Sequence, residues 1–313
     1  MDEKSTTQIV ENKKKSKFKT WVIITMTFVL LAVVGATTGI ILKRQFGQEI
    51  IDYSGFDPEN YRMDGKALLK DYQKNPHKNF TEAELINIGL EKYRECENCY
   101  SIGVGNASTI VNQTIRNAQI KRGNHYFEES ISYSKMVAVA NRVDQIGEDN
   151  NISLNKGKAT GSEEVTYKND TTIYKAEDYK KAWGKTLDEM FIYLISNETV
   201  LKDGSKIEKN DDQIKVTVNL DPDISSYYYK IQMKEISNLD RLPGFEYLTH
   251  TYIFAKDMTL LYCKVDEKYQ ASMGVTATIH NTIDYYYHAN ESIDIPNETE
   301  TIDYSIEGEN HYE

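Results

Sequence analysis

A run of 23 residues from Thr20 to Leu42 carries no charged side chain; 18 of them are apolar or Gly and five are Thr. Wound as an α-helix at about 1.5 Å per residue, the run measures about 34 Å, enough to cross a hydrocarbon core of about 30 Å. A chain with such a segment is expected to keep everything after it on one side of a membrane. Lys13, Lys14, Lys15, Lys17 and Lys19 precede the run, and only Lys43 and Arg44 follow it closely. That asymmetry predicts a cytoplasmic tail over 1–19, a transmembrane helix over 20–42 and export of the rest. The competing reading is a cleaved secretory signal, with Trp21 to Val34 as its apolar part and Val34-Gly35-Ala36 as a poor cleavage site. The apolar run resumes through Ile40, Ile41 and Leu42, which favours an uncleaved single-pass anchor in the cell membrane.

The formal charge of the 313-residue chain is −11. Residues 1–19 hold six Lys against Asp2, Glu3 and Glu11, a net +3, which leaves −14 for the remainder. Phosphates and anionic lipid heads repel such a surface, so nucleic acid is excluded as a partner. The richness in Asn, Lys, Ile, Tyr and Asp looks like the product of an AT-rich bacterial genome.

Residues 43–79 read as a stalk or lead-in, broken by Pro58 and Pro76, with one short helix candidate from Asp64 to Lys74. The folded domain, 80–289, opens at Thr81-Glu82-Ala83-Glu84, a capping box in front of a helix over 81–96 whose Leu85, Ile88 and Tyr93 share a face. From Tyr100 the pattern turns to short segments rich in β-branched and aromatic residues: 100–106, 108–121, 125–134, 136–145, 151–158 and 163–174. Their short loops allow only antiparallel neighbours. Alternation is imperfect in the third, where Glu129 shares a face with Phe127, Ile131 and Tyr133. A second helical region is expected over 176–195, kinked at Gly184. Ile214, Val216, Val218 and Leu220 then give the cleanest period-2 signal in the chain. A helix over 224–238 and three long strands, 245–255, 258–269 and 274–288, follow. Asn290 to Glu313 holds eight acidic residues and no Lys or Arg, which predicts a disordered tail.

The order of these elements, from helix and six strands through helix, strand and helix to a long-stranded meander, resembles the lipoprotein-carrier superfamily, the LolA-like half-barrels. The resemblance covers about 81–288. It is closest at Phe254-Ala255-Lys256-Asp257-Met258-Thr259-Leu260, which looks like the "aromatic, turn, apolar" hairpin that recurs in bacterial LolA-like domains. It implies an α+β fold in which a curved antiparallel sheet carries about three helices on its concave side. It also implies a hollow for a lipid or other apolar ligand. Leu85, Ile88, Phe191, Met233, Ile236, Val275, Ile279 and Ile283 are the residues placed to line it. The same side chains would serve to fill a solid core.

Chemistry is sparse. No nucleophile elbow, Gly-rich phosphate loop or His-x-x-x-His motif occurs, so no enzyme, metal or cofactor is expected. Asn219, Asp221 and Asp223 lack the Gly and distal Glu of a calcium loop, and helix capping suits them better. The histidines, His250 among them, read as solvated strand residues. Cys96 and Cys99 are candidates for a small disulfide, with Cys263 as an alternative partner; their place at a helix end argues against redox catalysis. Tyr227-Tyr228-Tyr229 and Tyr285-Tyr286-Tyr287 each must turn at least one ring inward. Two roles remain open: a binding module for an apolar ligand, and a structural subunit of a secretion or conjugation assembly acting through an envelope protein partner. The six strands ahead of the second helix speak against the latter.

Overall fold

In a computed structural model the described residues are 53–304 apart from 110–111, 135–137, 147–150, 160–163, 190, 238–240, 271–274 and 288–299. The chain divides after Glu49, and the expected membrane span 20–42 lies outside the described residues. Among the described residues no helix is long and apolar enough to cross a membrane.

Local sequence places the first helices. Asp64 caps α1, Gly65–Lys74, by accepting from the Ala67 N–H at 3.0 Å. The capping box forms at α2, Glu82–Glu95: Thr81 Oγ1 accepts the Glu84 N–H at 3.2 Å while the Glu84 carboxylate accepts the Thr81 N–H at 2.8 Å. Replacing Thr81 with Ala is expected to cost about 1 kcal/mol, read as a lower urea midpoint. An unchanged midpoint would show that the cap contributes nothing.

Six strands follow: β1 Asn98–Ser108, β2 Asn112–Arg122, β3 His125–Tyr133, β4 Ala138–Ile146, β5 Asn151–Ala159 and β6 Val165–Lys175. All six lie where alternation predicts them. Helix α3, Ala176–Trp183, is shorter than expected: Gly184 adopts φ 77° and its N–H closes the helix on Lys180 O at 2.8 Å. A side chain at this position would collide with the Tyr228 ring. Only glycine takes up this left-handed conformation freely, so the helix stops rather than kinks. The described residues between 184 and 199 then run irregularly, with a 3-10 turn at Leu187–Glu189.

Strand β7, Val200–Lys209, has no counterpart in the sequence reading. It is an edge strand, largely exposed, with its register broken between Leu201 and Lys206 around Gly204 at φ 81°. With almost no side chain buried on either face, the strand carries charge where a half-buried one would alternate. β8 Gln213–Leu220, α4 Tyr227–Ser237, β9 Gly244–Ala255, β10 Leu260–Gln270 and β11 Thr276–Tyr287 complete the chain.

The strands form one antiparallel sheet in the order β6-β5-β4-β3-β2-β1-β11-β10-β9-β8-β7. Two meanders are therefore joined where β1 pairs with β11, from Cys99 opposite Tyr287 to Ser108 opposite Thr278. Among the described residues the fold is α+β, a large antiparallel sheet with four α-helices. The helices cover one face, here the inner face. There α2 sits over β7, β8 and β10, while α3 sits over β5 and β6.

Two apolar clusters lie under them. One gathers Leu85, Ile88, Tyr93, Val216, Tyr252 and Phe254; the other joins Val143, Ile152, Leu154, Tyr179, Trp183 and Leu187. Between them runs a polar seam in which Lys185 pairs with Glu128 at 2.5 Å and Gln119 donates to the same carboxylate at 3.1 Å.

Two segments differ from expectation. The stretch read as a stalk packs on the body from residue 53: Tyr53 and Phe56 contact the Tyr227 ring, both at 4.8 Å, and Arg62 pairs with Glu189. Within the tail read as disordered, Ile302 and Tyr304 are buried on the outer face of the sheet. In the lead-in the helix candidate at 64–74 already carries Ala67, Leu68 and Tyr72 on one side; in the tail, Ile302 and Tyr304 are two apolar residues among acids, too few to show as a periodic pattern.

Candidate functional site

Alternation along β9 and β10 turns Leu248, His250, Tyr252 and Phe254 to the inner face, together with Cys263, Val265 and Glu267 of the neighbouring strand. Glu267 is 1% exposed and His250 also 1%, both among aromatic rings. Tyr193, from the irregular segment after α3, donates its hydroxyl to Glu267 Oε2 at 3.1 Å. Tyr229, from α4, donates to Oε1 at 3.2 Å. The two elements that cover this part of the sheet thus meet on one carboxyl group.

Around it the rings of Tyr193 and Tyr229, Tyr229 and Phe245, and Phe245 and Tyr269 lie 5.3, 5.7 and 5.2 Å apart. The His250 ring stands edge-on to Tyr193 at 4.4 Å. Its Nδ1 lies 3.0 Å from the Tyr252 hydroxyl, and its Nε2 is buried with no hydrogen-bond partner.

Burial decides the charge states. Loss of water pushes the Glu267 carboxyl up to about 7, against the opposing pull of the two tyrosine hydroxyls. It drives His250 down to about 3, with Asp266 as a weak counter-influence. His250 is therefore neutral at physiological pH, while Glu267 is poised between its two forms. The sequence reading had His250 solvated; it is buried because its parity along β9 is that of Tyr252 and Phe254.

The predicted cavity residues are only partly brought together. Leu85 and Ile88 are buried in the cluster under α2, and Phe191 and Ile283 pack against it. Ile279 is buried farther along β11, and Met233 and Val275 are half-buried. The side chain of Ile236 lies outside the described residues. Under α2 the packing is dense: a Cβ on Gly89 would fall 2.1 Å from the Phe254 ring. The indentation at the polar seam, lined by Gln119, Tyr126, Glu128 and Leu187 among others, is too shallow to enclose a water-sized sphere.

Cys96, Cys99 and Cys263 stand as free thiols, so the proposed Cys96–Cys99 bridge is absent. Cys96 is the C-cap of α2, and Cys99 points back at the carbonyls of Tyr93 and Cys96, both at 4.0 Å. Burial pushes the Cys99 thiol up to about 12, which leaves it a poor nucleophile. Asp221 caps the turn before α4, accepting from the N–H groups of Asp223 and Ile224 at 2.9 and 3.1 Å.

Glu267 and Glu129 escaped the sequence reading as functional groups. One signal was available for both: a carboxylate at the apolar parity of a strand.

No protein-family model matches the chain, and no curated protein sequence does. Among solved structures it is similar to LolA superfamily protein NE2245 from Nitrosomonas europaea, at 9% identity and a TM-score of 0.21, covering 67% of this chain and 94% of that one. A second similarity is to MucB in complex with MucA(peri), at 7% identity and a TM-score of 0.11, covering 66% of this chain and 94% of that one.

Proposed function

We propose that the chain is a membrane-anchored, extracytoplasmic binding module of a bacterial cell envelope, without catalytic activity. In this reading 20–42 is the anchor, the sheet is a LolA-like half-barrel, and an amphiphilic, lipid-like ligand enters beneath the cover formed by 187–195 and α4. One observation carries the reading. The cover is pinned to the sheet by two tyrosine hydroxyls on the single buried carboxyl of Glu267. A permanently closed core gains nothing from burying an ionisable group, whereas a site that opens for a ligand with a polar end has a use for one. The rings of Tyr229, Phe245 and Tyr269 would flank the aliphatic part, and Glu267 and His250 Nε2 would meet the polar end. Phe191 and Met233, on the covering elements, supply further apolar contact.

The test is native mass spectrometry of residues 50–313 purified without detergent, followed by titration with cis-parinaric acid. A lipid-mass adduct, displaced by the added fatty acid, is expected. A protein that is empty as purified and leaves the probe's fluorescence unchanged would end the lipid reading.

A further inference from the structure

On the opposite face of the sheet, β2, β3, β4 and β6 present an apolar surface made by Ala118, Phe127, Ile131 and Tyr167. In its middle stands Glu129, 0% exposed. The segment Glu300–Tyr304 lies across this surface. Ile302 and Tyr304 are 2% and 5% exposed, while Glu300 and Asp303 between and beside them face solvent. The Ile302 N–H donates to Glu129 Oε1 at 3.1 Å, and the Tyr304 hydroxyl donates to the same oxygen at 3.2 Å. On the sheet side the Tyr167 hydroxyl donates to Oε2 at 2.6 Å. Arg142 donates to the Glu300 carbonyl at 3.3 Å, and the Arg116 guanidinium lies 5.6 Å from the centre of the Tyr304 ring.

Three features separate this contact from ordinary core packing. Two of the three hydrogen bonds described for Glu129 come from the segment, so the sheet by itself leaves Oε1 without a described donor. A buried carboxylate is an expensive way to staple a chain end, because an apolar side chain in its place would hold as well without losing hydration. The groups that are read are a backbone N–H, a backbone carbonyl, an aliphatic side chain and a tyrosine. Any extended peptide of the same pattern offers these, with no need for covalent continuity with β11. The two solvent-facing side chains of the segment, Glu300 and Asp303, are both acidic.

We propose that the outer face of β2, β3, β4 and β6 is a peptide-binding surface. Its partner is an extended, acidic protein segment with an aliphatic residue followed two positions later by tyrosine, and Glu300–Tyr304 is the intramolecular stand-in that covers the surface until that partner displaces it. The proposal is independent of the lipid reading, which concerns the inner face.

The test uses the full chain in detergent micelles and a fluorescein-labelled peptide of residues 297–308, followed by fluorescence anisotropy. The double variant Ile302→Asn, Tyr304→Asn vacates the surface and is expected to bind the peptide. The unaltered chain should bind it at least tenfold more weakly, because its own segment competes at high effective concentration. Adding Glu129→Ala to the double variant should abolish binding. A double variant that keeps its circular dichroism and melting temperature yet ignores the peptide would reduce the contact to a fixed staple and overturn the proposal. If the double variant does not fold, hydrogen exchange of the unaltered chain decides. The Ile302 amide should exchange at least a hundredfold faster than those of Ile120 and Phe127, and equal protection overturns the proposal. Peptide binding accompanied by concentration-dependent dimers of the unaltered chain would assign the surface to a second copy, and would overturn the case for a separate partner.

Discussion

Replacing Glu267 with Gln is expected to make the folded body steeply acid-sensitive. Replacing His250 with Gln should make it sensitive to alkali. The two groups act in opposite directions over overlapping ranges. Folding holds the His250 pKa near 3 against an ordinary 6.5. Below pH 6.5 the unfolded chain therefore binds a proton that the native chain refuses, and stability falls as pH drops toward 3. Folding raises Glu267 to about 7 from 4.5. Between these values the native chain keeps a proton that the unfolded chain has released. Its contribution is complete below pH 4.5 and is lost as pH rises through 7.

Each slope is about 1.4 kcal/mol per pH unit, so between 4.5 and 6.5 they cancel. Without Glu267 the His250 slope stands bare and removes about 3 kcal/mol over those two units. Without His250 a similar amount disappears between pH 5 and 7.5. The check is the urea midpoint of residues 50–313 and of each variant at pH 5, 6 and 7.5. Taking each variant relative to the unaltered protein removes the titration of the surface carboxylates. Three parallel pH profiles would show that neither group is buried as described.

The second large effect lies at Gly89. Ala is favoured over Gly inside a helix by about 1 kcal/mol, which by itself would make Gly89→Ala stabilising. Packing reverses the sign. The added methyl would stand 2.1 Å from Cε1 and 2.6 Å from Cδ1 of Phe254, a residue with no exposed surface, so either α2 lifts off the sheet or the ring is displaced. Overpacking of this kind costs about 1–3 kcal/mol per methyl-sized intrusion. Gly89→Ala is expected to lower the melting temperature by several degrees, and Gly89→Val to prevent cooperative folding. Phe254→Leu should recover part of the loss in the Gly89→Ala background while being destabilising by itself, a coupling that a double-mutant cycle measures. Additive effects of the two replacements would mean that the helix and the strand do not touch there.

Much of the fold was legible because its signals are local. The Thr81 hydroxyl and the Glu84 carboxylate meet N–H groups three residues away, so a capping box can be read without any knowledge of the rest of the chain. Ile214, Val216, Val218 and Leu220 are all buried, as strict period two demands. The hairpin at Lys256-Asp257 is likewise local, although its clasp is not: Tyr72 and Lys92, from α1 and α2, donate to the carbonyls of Lys256 and Asp257 at 2.9 and 2.7 Å. Edge strand β7 left no pattern because its side chains are mostly exposed on both faces, so no apolar alternation is required of it. The helix expected through Ile195 failed at Gly184, where the shape of the Tyr228 ring on α4 matters as much as the residue itself.

The two buried carboxylates mark the boundary of such reading. Each sits on the apolar parity of its strand, which the sequence displays. What makes each tolerable comes from far along the chain: Tyr193 and Tyr229 for Glu267, Ile302 and Tyr304 for Glu129. The sequence by itself determined every strand but β7, the caps and a bilayer-length apolar run, since these depend on neighbours two to four residues away or on bare length. The joining of two meanders through β1 and β11, the cover over Glu267 and the docking of 300–304 were decided by the tertiary structure. Each requires a residue to find a partner 38 to 188 residues away, and no local pattern encodes such a pairing.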